Sequence, residues 1–229
     1  MSVLLALDCA AGACSVAVVE AGDLRGYGRI DLARGHAEAL MPLVDRVLAE
    51  AGCDAADLAA IAATVGPGSF TGLRIGLAAA RGLALAVGAR TVPVTSLEAI
   101  AHEAFRDEPA DGDAESGLPL LVGLDTKRGD LYAQWFEPSG RPVGYPAVLT
   151  AADAIRAAPG SSVRLAGDGA PALAAAAQEA GLTVSARLGP TAPDARSVAA
   201  IGERRLARGE DGPLRPLYLR APAVNLSAS

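Results

Sequence analysis

The amino-acid sequence predicts an α/β protein with two duplicated lobes, each a mixed β-sheet flanked by helices. Strand meanders are followed by helices twice along the chain. The opening segment, 4–22, can be laid over 121–140. An acidic stretch rich in Gly and Pro, 107–119, separates the two halves. We therefore expect an N-terminal lobe at 1–106 and a C-terminal lobe at 107–229, with the C-terminal segment packing back on the first lobe.

The first half of the chain passes from strands to helices. Short apolar runs predict a strand meander, and apolar residues at helical spacing predict the helix that follows. Pro42 is expected in the first turn of that helix or at a kink. The expected elements are strands at 3–8, 14–20 and 24–30, a helix at 36–52, a strand at 58–67, an apolar helix at 70–88, a strand at 91–96 and a helix at 96–105.

The second half repeats the opening pattern. Asp8 aligns with Asp125 and Gly12 with Gly129 at one offset, so each copy is a buried strand ending in Asp, a Gly turn and a second strand. We interpret this as an internal duplication, with a chance alignment at low identity as the alternative. The later elements are expected as a strand near 143–149, a helix near 150–158, a strand entering a Gly turn at 162–170, and helices at 171–180 and 194–209.

Composition favours a cytoplasmic globular protein. The net charge of −6 opposes unaided binding to nucleic acid. Cys9, Cys14 and Cys53 form no C-x-x-C motif, so we expect reduced, buried thiols, with a redox role as the alternative. No basic region typical of a signal peptide precedes Asp8. The longest apolar stretch, near 75–89, is expected to be too short for a membrane span.

The glycine-rich segment GPGSFTG, 66–72, leads into the apolar helix. Its glycines can bring backbone N–H groups close to an anion, and its hydroxyls can cap the helix or donate to phosphate. The same residues suit a tight strand–helix turn that needs no ligand, and G-K-[ST] is absent. In the helix only Arg74 and Arg81 are polar, so it must be covered on nearly all sides, by its own fold or by a second protein.

The sequence assembles no catalytic constellation. His36 and His102 form no H-x-x-x-H pair of metal ligands, and no serine lies in a G-x-S-x-G elbow. Asp8 and Asp125 end matching strands, where they can orient Mg²⁺ at a cleft or cap turns; we favour turn capping. Lys127 can pair with phosphate or with Asp residues, and a surface role is favoured. No metal site is predicted.

The chain resembles the bacterial TsaB (YeaZ) family along most of its length. The specific part is GPGSFTGLRIGLAAARGLA, and further matches occur in order: LLALDCAAGACSVAVVEAG, HAEALMPLVDRVL, LDTKRGDLYAQWF, AGDGA and PLYLRAPA. The resemblance implies an actin-like ATPase (ASKHA, ribonuclease H-like) fold. It also implies a non-catalytic relative of TsaD that works with TsaD and the ATPase TsaE. Their joint product is N6-threonylcarbamoyladenosine at position 37 of tRNAs reading ANN codons. The resemblance implies that the complex uses ATP or ADP with Mg²⁺ and that this chain contacts tRNA only indirectly, through the complex. It assigns no cofactor to this chain.

The resemblance implies two sets of functional residues. Helices 36–51 and 70–88 would pair with TsaD or with a second copy of the chain. The expected partner interface is Leu40, Met41, Val44, Leu73, Gly76, Leu77, Ala80 and Leu83. The expected vestigial nucleotide loop is Asp8, Gly12, Gly66, Gly68, Ser69, Thr71, Gly72 and Asp125.

One departure from the family concerns the first turn. Many members have Asp-Thr-Ser after the first strand, whereas this chain has Asp8-Cys9-Ala10, which lacks two hydroxyls. The change argues against independent nucleotide binding and favours a pseudo-enzyme that serves as a scaffold for TsaD. The alternative is a stand-alone nucleotide-binding enzyme of the sugar-kinase class. A protease, the third hypothesis, has no nucleophile–base pair or metal ligands in this sequence.

Overall fold

The two halves of the chain fold into the same series of elements, three strands followed by alternating helices and strands. The structure, a computed structural model, describes residues 2–106, 117–187 and 189–220. The first half consists of β1 (Val3–Ala11), β2 (Ala13–Glu20), β3 (Asp23–Asp31), α1 (His36–Ala51), β4 (Leu58–Gly66), α2 (Phe70–Val87), β5 (Arg90–Thr95) and α3 (Ser96–Arg106). The second consists of β6 (Leu120–Asp125), β7 (Leu131–Phe136), β8 (Pro142–Leu149), α4 (Ala151–Arg156), β9 (Ser162–Ala166), α5 (Ala170–Glu179), β10 (Thr183–Arg187) and α6 (Ala195–Ala207).

The two sheets have one topology. Their strand orders are β3-β2-β1-β4-β5 and β8-β7-β6-β9-β10. In each sheet the three meander strands are antiparallel, and the last two strands add parallel to the first. The repeat inferred from the sequence therefore corresponds to a structural duplication, and the predicted class of two mixed sheets flanked by helices is confirmed.

The strand β1 is buried on both faces, which explains its continuous apolar run. Alternate side chains point to opposite sides of the sheet. Leu5 and Leu7 pack with the core beneath α1 and α2. Leu4 and Ala6 pack with the apolar side of α6. The central strand of the first lobe is thus covered by helices from both halves of the chain.

Each lobe receives a helix from the other half. The helix α6 lies against the first sheet, where Gly202 is so close that a Cβ built on it would stand 2.8 Å from the Cβ of Ala62. The helix α3 places Leu97 and Ile100 in a cluster with Leu120 and other residues of the second sheet. The packing of α6 is that expected for a C-terminal segment returning to the first lobe. The division at 106/107 itself stays a prediction, and most of the expected linker lies outside the described residues.

Two local expectations differ from the structure, and one strand was not predicted. Pro42 lies in the second turn of α1, not the first, and its side chain is exposed. The strand β10 was not predicted from the sequence. The helix α2 has 18 residues and is long and apolar enough, by composition alone, to cross a membrane. A helix of a globular core passes the same test, and one side of α2 packs on β1 and β4.

Candidate functional site

The glycine-rich loop packs against its own first strand. A Cβ on Gly68 would stand 2.4 Å from the carbonyl oxygen of Ala10, and a Cβ on Gly72 would stand 2.0 Å from that of Cys9. The Ser69 N–H donates to the same Ala10 oxygen at 2.8 Å. These glycines are therefore required by a close approach of backbone to backbone.

The Ser69 side chain caps the helix. Its Oγ accepts a hydrogen bond from the Gly72 N–H at 3.2 Å, at the N-cap position of α2. A capped first turn and a strand-bonded loop satisfy donors that a phosphate would otherwise have used. The segment thus has the geometry of a strand–helix turn, one of the two interpretations that the sequence left open.

Asp8 is buried beneath the turn and does not line the cleft between the lobes. Its Oδ1 accepts from the Thr64 hydroxyl at 2.6 Å and from the Ala10 N–H at 3.2 Å, whereas Oδ2 has no partner. Burial raises the pKa of this carboxyl from 3.8 to about 7, although both hydrogen bonds oppose the rise. At pH 7 the group is only partly ionised and it is buried away from the cleft, which makes it a poor ligand for Mg²⁺.

A cleft of about 520 Å³ opens between the lobes. Asp125, Lys127 and Asp168 meet there: the Lys127 ammonium lies 3.0 Å from an Asp125 oxygen and 3.3 Å from an Asp168 oxygen. Hydrogen bonds from the Lys127 N–H and ammonium lower the pKa of Asp125, so this carboxylate is ionised and already has a counter-ion. The lysine stands beside the carboxylates, where a metal ion would have to bind.

The eight expected loop residues divide between cleft and core. Gly12, Gly68, Ser69 and Asp125 line the cleft. Asp8, Gly66 and Gly72 are buried, and Thr71 is exposed at the start of α2. Asp8 does not line the cleft, so the less favoured interpretation, Mg²⁺ orientation at a cleft, finds no support for this residue. Its Oδ1 accepts from the Ala10 N–H, as in the favoured capping of a turn. In residues 2–106, 117–187 and 189–220, no group of three or more His, Cys, Asp or Glu side chains is arranged to hold a metal ion.

The expected partner interface also needs correction. Six of its eight residues are buried in the chain's own core: Leu40, Val44, Leu73, Gly76, Leu77 and Ala80. Met41 is 38% exposed and Leu83 is partly buried. In a helix with no polar face, the sequence pattern cannot indicate which side meets the sheet. The pairing of either helix with a partner stays a prediction, and the residues available for it are different ones.

The exposed side of α2 carries two arginines and several apolar residues, because Arg74, Ala78, Arg81 and Leu85 follow one another at helical spacing. It presents Ala78, Gly82 and Leu85, and Leu85 is 87% exposed. A Cβ on Gly82 would have no neighbour within 4 Å among the described residues. We call this surface, together with Met41 of α1, the α1/α2 face.

The C-terminal segment covers one flank of α2. The Arg81 guanidinium donates to the carbonyl oxygen of Leu214, a residue that is buried in the core of the first lobe. Arg74 lies 3.7 Å over the ring of Phe70 and donates to the hydroxyl of Tyr218. Both arginines of the helix are thus bonded within the chain, whereas Ala78 and Leu85 on the same side stay exposed.

Comparisons with known proteins agree with this architecture. A family model described as TsaD, tRNA N6-adenosine threonylcarbamoyltransferase, matches residues 31–187. An uncharacterized protein of Mycobacterium tuberculosis is 36% identical over 225 residues, which cover 97% of this chain and 93% of that protein. The tRNA threonylcarbamoyladenosine biosynthesis protein TsaB of Escherichia coli is 34% identical over 134 residues, 58% of this chain and 54% of that protein.

A solved structure extends the likeness to the whole fold. YeaZ from Pseudomonas aeruginosa superposes with a TM-score of 0.80 at 28% identity, covering 96% of this chain and 100% of that one. The fold is the duplicated fold of that structure, with two mixed sheets flanked by helices. The chain belongs to the family that the TsaD model describes, and within it to the TsaB (YeaZ) proteins.

Proposed function

We propose that this chain is a non-catalytic subunit of the system that makes N6-threonylcarbamoyladenosine at position 37 of tRNAs reading ANN codons. Its relatives in Escherichia coli and Haemophilus influenzae are named tRNA threonylcarbamoyladenosine biosynthesis protein TsaB. In this proposal the chain binds TsaD through the α1/α2 face, orders the TsaD active site, and contributes a surface for TsaE. The threonylcarbamoyl transfer takes place on TsaD, in the cytoplasm.

The exposed apolar residues of α2 are the observation that carries the docking proposal. Leu85 is 87% exposed on a helix whose mean hydropathy would suit a membrane span. Exposed apolar surface of this kind is typical of interaction sites. The small residues Ala78 and Gly82, which precede Leu85 on α2, allow a partner helix to approach closely.

The cleft chemistry supports a non-catalytic role. The glycine loop is closed onto β1, Asp8 is buried and its pKa is raised, and the carboxylate of Asp125 is paired with Lys127. The first turn also lacks the hydroxyls that Asp-Thr-Ser would supply. These residues do not fit a bound magnesium nucleotide, so we derive no hydrolytic step for this chain. ATP and Mg²⁺ are then used by other members of the complex.

A stand-alone nucleotide-binding enzyme is the second candidate. The cleft of about 520 Å³ favours it, because its size suits a small-molecule ligand. Titration of the isolated protein with ATP and Mg²⁺ distinguishes the two functions. Tight binding without TsaD would favour the second candidate over the scaffold.

The docking proposal is tested with TsaD from the same organism. We expect a one-to-one complex by size-exclusion chromatography with light scattering, and the same experiment reports the mass of the free chain. Leu85→Glu should weaken the complex by about 10-fold or more, since burying a leucine contributes about 1.5–3 kcal/mol. Ala175→Glu on the exposed side of α5 is the matched control and should leave the complex intact.

Gly82→Arg adds a second, independent disruption of the α1/α2 face. The glycine has open space around its Cα, so the folded protein tolerates the larger side chain. Unchanged thermal unfolding of both variants establishes that they are folded. A complex that survives both Leu85→Glu and Gly82→Arg would rule out this face as the docking surface.

A further inference from the structure

A second groove, distinct from the cleft, lies between α3, α6 and the turn that joins β7 to β8. Its volume is about 550 Å³, and none of its lining residues lines the cleft. Four arginines line it, although the chain as a whole carries a net charge of −6. We call it the arginine groove, and its arginines are Arg141, Arg204, Arg205 and Arg208.

Two of the four arginines already have acidic partners. Arg205 pairs with Glu98, and Arg141 donates to Glu137 at 2.9 Å. In the part of the chain that the structure describes, the guanidinium groups of Arg204 and Arg208 make no hydrogen bond or ion pair. The only other carboxylate lining the groove is that of Glu210. The walls therefore carry an excess of positive charge.

The charges of the groove act on one another. Burial and the neighbouring Arg208 and Arg205 lower the pKa of Arg204. Burial, Arg204 and Arg106 lower the pKa of His102 to about 4, and the buried Nδ1 of this imidazole has no partner. Burial is the larger cause of both shifts, and the neighbouring arginines add to it in the same direction. His102 is neutral at pH 7 and adds no positive charge to the groove, and an anion bound nearby would favour its protonation.

Apolar and aromatic side chains also line the groove. Phe105 and Ile201 contribute from α3 and α6, and Pro138 and Pro142 flank the turn. A volume of about 550 Å³ falls within the usual range for small-molecule sites. A groove of this size with apolar side chains and fork-shaped guanidinium donors suits a compact phosphate compound better than an extended polymer backbone.

We propose that the arginine groove binds a small, multiply charged phosphate ligand of the pyrophosphate or nucleotide class. Arg204 and Arg208 contact the phosphate oxygens, and the wall around Phe105 packs against any organic part. The site shares no residue with the α1/α2 face, so it goes beyond the proposed docking of TsaD. It also lies away from the closed glycine loop.

The test uses the isolated full chain and inorganic pyrophosphate. Calorimetry measures the affinity at low ionic strength, and proton NMR follows the two histidines, of which only His102 lines the groove. We expect pyrophosphate to bind more tightly than inorganic phosphate. The His102 pKa should rise by about one unit or more while His36 is unaffected.

Variants locate the site. Arg204→Gln with Arg208→Gln should weaken pyrophosphate binding by about 10-fold or more, because charge-assisted hydrogen bonds are lost. Arg46→Gln removes one charge from the exposed side of α1 and should change the affinity by less than about 2-fold. If the double variant does not fold, Arg208→Gln alone and the wild-type histidine titration test the same point.

Three results would overturn the proposal. The first is no binding together with no shift of His102. The second is an equal loss with Arg46→Gln and with the groove variants, which would mean diffuse attraction by the surface. The third is binding of a short RNA oligonucleotide without binding of pyrophosphate, which would assign the groove to a nucleic-acid backbone.

Discussion

Replacing Asp8 by Asn should remove the pH dependence that this buried carboxyl imposes on the free energy of unfolding. The pKa of Asp8 is 3.8 in the unfolded chain and about 7 in the folded one. The folded protein therefore binds this proton more tightly, and stability falls as the pH rises through that interval. At about 1.36 kcal/mol per unit, three units correspond to roughly 4 kcal/mol lost by pH 8.

The assay is urea unfolding of the wild type and Asp8→Asn between about pH 4 and about pH 8. Asn keeps an oxygen for Thr64 and Ala10 but cannot ionise. As the pH rises across this range, we expect the free energy of unfolding of the variant to increase by roughly 4 kcal/mol relative to that of the wild type. The pKa of His102 is lowered from 6.5 to about 4, so this residue makes stability rise with pH between those values. The contribution is the same in both proteins and cancels when the variant is compared with the wild type.

Asp125→Asn is the matched control, because Asp125 is the equivalent residue of the second repeat. Its carboxylate is half exposed and its pKa is lowered by Lys127, so its substitution should give no gain as the pH rises. A difference between wild type and Asp8→Asn that stays constant from pH 4 to pH 8 would refute the reasoning. It would mean that Asp8 has the same pKa in the folded and unfolded chains.

Two further predictions concern the glycine loop and the cleft. Gly72→Ala should destabilise the protein by about 3 kcal/mol, since its Cβ would overlap the Cys9 carbonyl. Gly82→Ala on the open side of α2 should stabilise it by up to about 1 kcal/mol. Equal effects of the two substitutions in denaturant unfolding would contradict the packing argument. Lys127→Gln should raise the pKa of Asp125 toward its ordinary value, as followed by carbon-13 NMR of the carboxyl, and an unchanged titration would show that the ion pair is not formed in solution.

The sequence predicted the order of elements well because most of them have a clear period. The buried strands β1 and β4 are continuous apolar runs bounded by turns, and α1 carries apolar residues on one side. The repeated Asp–Gly spacing indicated an internal duplication, which agrees with the topology that the two sheets share. The strand β10 escaped notice because TVSAR is short and mostly polar.

The candidate site was less predictable, because its features depend on long-range packing. Glycine spacing at 66–72 is the same for a ligand loop and for a turn pressed onto a neighbouring strand. Only the distance from Gly72 to Cys9 distinguishes them. The free side of α2 depends on where Leu214 and Tyr218 return, more than a hundred residues later in the chain. Local periodicity carries no information about such contacts.

Each half of the chain packs its last helix on the sheet of the other half, α3 on the second sheet and α6 on the first, which bears on the evolutionary history of the molecule. A single unit of three strands, helix, strand, helix, strand and helix would leave one side of its sheet short of cover. Two such units, each lending its last helix to the other, make a closed pair of the domain-swapped kind. The present chain can thus be understood as a symmetric dimer that was fused into one polypeptide. Once fused, the copies could diverge, and one glycine turn could become structural while the other kept its charged groups at the surface.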